Sequence, residues 1–474
     1  MVDEYIKPDL EFIKHLKSSG GNTVKKCFQC ATCSVVCPQA PEDNPFPRKE
    51  MIWAQWGLKD RLLRDPDVWI CHYCGDCSTH CPRGAKPGEV LNSIRQQSIS
   101  YFSTPGSLTN VVGNKAMLPV LFLIPAILFF GMLGMKWDIV SGITNKNDII
   151  FAKVFPQMTF IDPLFGLLAM FILFSVGGGC LKMWKEMKST FPPVKKKSFV
   201  GAAISTIIDI FTHSKFYDCA VNRDRALAHR LTFYGFVLLF ITTMIIAAAE
   251  WVHILAKVDF WTYKEFGDHV VSVTPMELSN PAKILGNVGA IVLLAGITLI
   301  TMNRFKQEEK GAYFDWLLII TIFGLVLTGI LTEVARLAGT AVGAYSIYAV
   351  HLIFIFVLFA YLPFSKLAHM FYRTVALVYL EYSGRAEPVV LVTEKAEEEA
   401  AEPEGEAEAR AEEAPAEDDA KVEEEKPKDT TTPPPPPTPG VPPPPPPSGG
   451  GGGSGAPPPP PTPGVPPPPP PPPG

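Results

Sequence analysis

Cysteine is scarce outside two short runs: of the ten in the chain, only Cys180 and Cys219 lie elsewhere, and neither has ligand-type spacing. Residues 1–20 are polar and charged, with no apolar leader, so a secreted, disulfide-stapled protein is not expected. The segment between Cys37 and Cys71 shows little alternation of β-branched residues, which argues against a strand-built unit there. Large apolar residues almost vanish beyond Val390, and sequence of that composition cannot bury a core. The middle of the chain has the opposite deficit, long stretches nearly without charge.

What is present is one motif, twice. Cys27, Cys30, Cys33 and Cys37 precede Pro38 with the spacing Cys-x-x-Cys-x-x-Cys-x-x-x-Cys-Pro, and Cys71, Cys74, Cys77, Cys81 and Pro82 repeat it. Three closely spaced thiolates cap one face of a [4Fe–4S] cubane, and the fourth, next to proline, normally crosses to the other cluster. The expected ligand sets are therefore Cys27, Cys30, Cys33 and Cys81 for one cluster, and Cys71, Cys74, Cys77 and Cys37 for the second. Structural zinc also uses Cys-x-x-Cys pairs, but two successive four-cysteine runs ending in Cys-Pro do not suit it. Between the runs, Ile52, Trp53, Trp56, Leu58, Leu62 and Leu63 recur at roughly helical spacing, and 11–18 and 89–97 also read as helices. Residues 1–105 are thus expected to form an all-helical ferredoxin domain with two [4Fe–4S] clusters.

Six apolar stretches follow, 117–135, 164–181, 231–251, 284–302, 316–335 and 345–364, each 18 to 21 residues long. A helix needs about 20 residues to cross the hydrocarbon of a bilayer, so 106–385 is expected to be a six-span transmembrane helix bundle. The loop from Lys182 to Arg230 holds ten Lys and Arg residues, with Arg304, Lys306, Lys310, Lys366 and Arg373 on the same side. The positive-inside rule then places both termini and the cysteine domain in the cytoplasm. Trp137, Trp251, Trp261 and Trp316 lie near span ends, where an aromatic belt is expected. The net charge of −5 conceals a tail, 391–474, with 17 acidic and 5 basic residues, which leaves about +7 for the rest. Residues 386–474, acidic and then proline-rich, are expected to be a disordered tail. The expected fold class is mainly α.

His351 and His369 are 18 residues apart. On one continuous helix that is five whole turns and about 27 Å, so both imidazoles would project from one face near opposite membrane surfaces. Two stacked haems would each take one axial imidazole from such a helix. The opposite ligands are expected from His229 and His253, just before and just after the third span. Their 24-residue separation gives about 36 Å but a 120° offset, so His213 is an alternative. Arg223, Arg225, Arg230 and Arg304 could pair with haem propionates or contact acidic lipid. His269, Glu250 and Glu333 are weaker candidates at the outer side, and Lys25, Lys26, Arg61 and Arg64 could steer acidic partners.

The order of parts resembles a known family. Residues 1–100 are similar to the C subunit of heterodisulfide reductase in the paired cysteine runs, in Trp69-Ile70 before Cys71, and in Cys81-Pro82-Arg83-Gly84. Residues from about 220 to 375 resemble the b-haem membrane subunits of heterodisulfide reductase and nitrate reductase, where a late helix supplies two haem histidines at the spacing of His351 and His369. A fusion of the two resembles the QmoC-type membrane subunits of the quinone-interacting oxidoreductases of sulfate-reducing microbes. The resemblance implies two [4Fe–4S] clusters, two haems b, menaquinone as substrate, and flavoprotein/iron–sulfur partners resembling heterodisulfide reductase A (QmoA and QmoB type). It also implies electron delivery toward adenylylsulfate reductase, with no nucleic-acid partner and no catalytic residue for bond-making in this chain. The alternative is the quinol-linked membrane subunit of a heterodisulfide-reductase-like complex. No Cys-Cys-Gly segment occurs, so disulfide chemistry would reside in a partner.

Overall fold

The computed structural model describes residues 7–41, 44–193, 196–216, 218, 224–256, 264–266, 270–272, 275–306 and 313–385. The expected tail, 386–474, lies outside the described residues, as do Cys219, Arg223, Trp261 and His269.

Helix α1 (Leu10–Leu16) starts at Asp9, whose carboxylate accepts from the Phe12 amide at 2.8 Å, and it buries Phe12 and Leu16. Around the cysteines the chain makes only single turns, α2 (Thr32–Val35) and, later, α5 (Asp76–Thr79). Between these turns lie α3 (Arg48–Gln55) and α4 (Lys59–Arg64), where the apolar spacing predicted helix. Helix α6 (Pro87–Phe102) begins with proline at its first position, which costs no ladder bond. It buries Val90, Leu91, Ile94, Ile99 and Phe102 along one stripe.

The membrane-type part follows as α7 (Ser107–Val112), α8 (Leu118–Met135), α9 (Trp137–Ser141), α10 (Asp162–Thr190), α11 (Phe199–Thr212), α12 (Asp224–Ala256), α13 (Pro281–Lys306), α14 (Tyr313–Leu337), α15 (Ala341–Tyr361) and α16 (His369–Ser383). Six segments are long and apolar enough to span a bilayer: Lys115–Met135, Gln157–Thr190, Arg225–His253, Pro281–Lys306, Tyr313–Leu337 and Ala341–Phe364. Apart from a three-residue antiparallel pair, β1 (Lys264–Phe266) with β2 (Val270–Ser272), the described residues contain no strand. The mainly α class expected from sequence therefore holds.

Close helix contact in an apolar solvent depends on small residues. A Cβ on Gly235 of α12 would lie 2.7 Å from the Leu293 Cα of α13, and one on Gly296 of α13 would lie 2.6 Å from the Thr232 hydroxyl of α12. No side chain fits at either position.

His351 and His369 do not share a helix. α15 ends at Tyr361, two 3₁₀ turns follow, and His369 opens α16. Pro363 lacks the amide that would continue the ladder, and Ser365 caps the restart by accepting from the Leu367 amide at 3.2 Å. Five whole turns therefore do not connect the two histidines, and no shared helical face follows: His351 lies within the last apolar segment, Ala341–Phe364, rather than at its outer edge, and His369 lies beyond its other end. The basic loop after the second span also contains structure that the charge count concealed, helix α11.

One apolar core joins the cysteine elements to the helix bundle. It runs from Phe12, Trp69 and Phe102 into Met183 and Met187 of α10, Phe314 of α14, and Tyr372 and Tyr379 of α16. Gly179 of α10 lies where a Cβ would press on the Tyr372 hydroxyl and meet the Phe102 carbonyl at 2.8 Å.

Candidate functional site

The two cysteine loops fold alike. Gln29 and Ala31 in the first, and Tyr73 and Gly75 in the second, take left-handed backbone conformations with φ of 61°, 67°, 57° and 96°. Each loop thereby turns an amide onto its first sulfur: Gln29 N donates to Cys27 Sγ at 3.4 Å, and Tyr73 N to Cys71 Sγ at 3.2 Å. The Ala85 amide donates to Cys81 Sγ at 3.3 Å.

The sulfurs fall into two electrostatic groups. Burial pushes the Cys33 thiol up to about 11, and Cys27, Cys30 and Cys81 add to the effect. Burial pushes Cys37 up to about 12, with Cys71 and Cys74 adding to it. Burial also raises Cys77, assisted by Cys71, Cys37 and Cys74. Cys81 of the second run thus joins the first three, and Cys37 of the first run joins the second three. Cys27, Cys33, Cys37 and Cys77, each raised chiefly by burial, resist ionisation on their own, and cationic iron would offset that cost. The donor set fits two cubanes.

A cavity of about 690 Å³ opens beside the second group, within the range of cofactor sites. His72, His213, His229 and His369 line it, together with Arg225, Arg304 and Arg373. Their hydrogen bonds define which ring nitrogens are free. His213 Nδ1 donates to the Phe211 carbonyl at 3.1 Å, so its Nε2 is a bare acceptor, 3.2 Å from His229 Nδ1. His229 therefore carries its proton on Nδ1 and keeps an unprotonated Nε2. His369 Nδ1 donates to the Lys366 carbonyl, which leaves its Nε2 bare too. A ligating imidazole is normally held through its other nitrogen in this way. Burial, with Lys366 and Arg373 nearby, depresses His369 to about 4 and keeps it neutral.

Arg373 belongs both to the cavity and to the second cysteine loop. It lies one turn beyond His369 on α16. Its guanidinium donates to the Cys71 carbonyl at 2.8 Å and the Ile70 carbonyl at 3.4 Å, and it lies 3.3 Å from the His72 ring nitrogens. The Phe216 ring stacks on His229 at 5.0 Å and meets His72 edge-on at 4.6 Å. His72, Phe216 and the bridging position of Arg373 escaped the sequence reading. The i, i+4 relation of His369 and Arg373 was a signal for the last of these.

The remaining candidates are dispersed. His351 is on α15, where its Nδ1 donates to the Leu325 carbonyl of α14 at 3.0 Å and lies 3.2 Å from the Thr328 hydroxyl. His253 occupies the final turn of α12, whose long neighbour is α13. Glu250 accepts from Gln157 at 2.6 Å, and Glu333 pairs with Lys283 at 2.7 Å. Arg64 pairs with Glu186 of α10 at 3.1 Å, so it ties the cysteine elements to the bundle, while Lys25, Lys26 and Arg61 stay exposed. Cys180 is half-buried beside the shared core.

Three buried carboxylates, Glu50, Asp65 and Asp67, cluster within ligand distance of one another. Lys49 Nζ is their internal cation, 3.3, 3.0 and 2.5 Å from them in turn, and Arg385 adds a 2.9 Å contact to Asp67. Removing the one ammonium would strand buried charge, which typically costs about 3–5 kcal/mol. Lys49→Met is therefore expected to lower the melting temperature substantially, read as loss of visible absorbance on heating. Burial raises Glu50 and Asp65 above the usual carboxyl range, against the pull of Lys49. The folded protein thus holds protons that the unfolded chain releases. That contribution is complete below the ordinary carboxyl value and is lost as pH rises toward the folded one. Glu50→Gln is expected to flatten the fall in stability from about pH 5 upward. Denaturation midpoints across pH would measure it.

Residues 23–85 match the 4Fe-4S dicluster domain family. The chain is 36% identical over 91 residues to the C subunit of the H(2):CoB-CoM heterodisulfide,ferredoxin reductase of Methanothermobacter marburgensis, covering 19% of this chain and 49% of that protein. It is 37% identical over 82 residues to a protein of Archaeoglobus profundus that is named as like the C subunit of heterodisulfide reductase, covering 17% and 44%. The chain thus spans about half the length of these curated relatives. A longer similarity, 26% identity over 332 residues and 65% and 80% of the two chains, links it to the "Citrate utilization protein B" of Escherichia coli. No solved structure matches the chain. Fold and site define an iron–sulfur electron-transfer protein with membrane-type helices. Its cysteine-rich part is related to the C subunit of heterodisulfide reductase.

Proposed function

We propose that the chain is the membrane subunit of a quinone-interacting oxidoreductase of the QmoC type. In this reading it passes electrons between menaquinone and cytoplasmic flavoprotein/iron–sulfur subunits, toward adenylylsulfate reductase. The observation that carries the reading is the pair His229 and His369, each with a bare Nε2 on one cavity beside the Cys71 loop. Cys27, Cys30, Cys33 and Cys81 would hold one cluster, and Cys71, Cys74, Cys77 and Cys37 the other. His229 and His369 would hold one haem b, and His351 with His253 the second. When bound, these groups supply one-electron carriers, whereas menaquinol oxidation releases two electrons and two protons.

The chain's own residues position and insulate those carriers. His213 orients His229 and fixes its tautomer. Arg225 and Arg304 bring positive charge to the cavity, suited to propionates. Arg373 locks the Cys71 loop against α16 and stabilises added negative charge on that side. Arg373→Gln is expected to lower the midpoint potential of the second cluster and to slow its reduction about tenfold or more, the usual scale for residues that orient metal ligands. EPR-monitored redox titration and stopped-flow reduction would show both effects. In the same reading, the protein is multi-pass in the cytoplasmic membrane with its cysteine elements on the cytoplasmic side.

The second reading, the quinol-linked membrane subunit of a heterodisulfide-reductase-like complex, is supported by the identity to the heterodisulfide reductase relatives. Co-purification separates the two. Adenylylsulfate reductase in the isolate supports the first, and a Cys-Cys-Gly-bearing subunit supports the second. A pyridine haemochrome and iron assay tests the cofactor reading common to both, with two haems and eight non-haem irons per chain expected from the ligand sets. Iron without haem would remove the cytochrome part.

A further inference from the structure

Helix α11 (Phe199–Thr212) has two faces with different surroundings. Ala202 and Thr206 are buried, and Thr206, Asp209 and Ile210 line the histidine cavity. The other face carries Phe199, Val200, Ile204, Ile207, Ile208 and Phe211, which are 45–63% exposed. Positions 200, 204, 207, 208 and 211 form one continuous helical stripe. Large apolar side chains concentrated in such a stripe mark a surface that another apolar phase covers.

The position of the helix identifies that phase. At its C-terminal end the Phe211 ring lies 5.5 Å from that of Phe233, and the Tyr234 hydroxyl donates to the Phe211 carbonyl. Phe233 and Tyr234 belong to the first turns of the spanning segment Arg225–His253. The end of α11 is thus level with the start of an apolar span, where Tyr234 is itself exposed. At the other end, Lys185, Lys188 and Lys196 are exposed, where lipid headgroups would meet them.

We propose that α11 is an interfacial helix, lying in the headgroup–acyl boundary of the bilayer with its six-residue apolar face in lipid. It would then be the wall between the acyl region and the histidine cavity. The proposal uses only the spanning segments and α11 itself, so it stands or falls separately from the redox reading.

The test is acyl-chain photolabelling of the full chain, reconstituted in vesicles of phosphatidylethanolamine and phosphatidylglycerol that carry a diazirine fatty-acyl lipid. Peptides from 199–212 are expected to be labelled within about threefold of those from α8, and about tenfold above those from α3, as for a helix seated in the interface. Ile204→Asn with Ile208→Asn alters only exposed positions. It is expected to reduce labelling of 199–212 several-fold while iron content is unchanged. Labelling of 199–212 no greater than that of α3 would overturn the proposal, as would labelling unmoved by the double variant. Cross-links from this face to a co-purifying protein in native membranes would also overturn it, assigning the face to that protein.

Discussion

Cys37→Ala is expected to extinguish the EPR signal of the second cysteine run, not of the first, and to remove about half of the non-haem iron. The reason is geometric. Cys37 follows the first three cysteines in sequence, yet its thiol is raised by burial together with Cys71 and Cys74. Cys81 mirrors it, adding to the rise at Cys33. A cubane that loses one of four thiolates rarely persists, so loss of one whole cluster is the expected scale. The discriminating comparison is between variants. Under crossed ligation, Cys37→Ala and Cys74→Ala lose the same signal, and Cys81→Ala and Cys30→Ala lose the other. Were Cys37→Ala to match Cys30→Ala instead, each run would hold its own cluster.

The second large effect concerns the cavity. His369→Ala and His229→Ala are each expected to remove the same haem, reducing the haemochrome yield from two per chain to one. His213→Ala should leave that haem in place, because His213 acts only through His229. Without it, His229 loses the acceptor that holds its proton on Nδ1, and the haem's midpoint potential should shift, since such outer partners tune ligand basicity. A merely structural role for His213 would change yield but not potential. If His229→Ala and His369→Ala removed different haems, the shared-cavity assignment would be wrong.

These expectations differ in how far the sequence could reach them. The dicluster domain was legible because cluster ligation imposes fixed local spacing on its cysteines. The six spans were legible because a bilayer demands length and uniform apolarity. The place of His229 before a span is legible in sequence, but its contact with His213 is not, because that contact joins two helices across a loop. The shared face of His351 and His369 was inferred by extending helical periodicity through Pro363, where the ladder breaks. Helix α11 has its own start signal, the Ser198 hydroxyl accepting from the Gly201 amide at 3.4 Å, and a clear apolar stripe. Counting only the charges of its loop passed over both. The Lys49 cluster had no sequence signature, since its three carboxylates converge from a helix and a separate turn.

Continuity between a lipid-soluble donor and cysteine-bound clusters within one chain is the central claim. The most direct measurement is anaerobic addition of a menaquinol analogue to the purified, reconstituted protein, followed by optical and EPR spectroscopy. The predicted result is a b-type haem α-band together with the signals of reduced [4Fe–4S] clusters. Clusters that are reducible by dithionite but silent toward menaquinol, with no haem band, would contradict it.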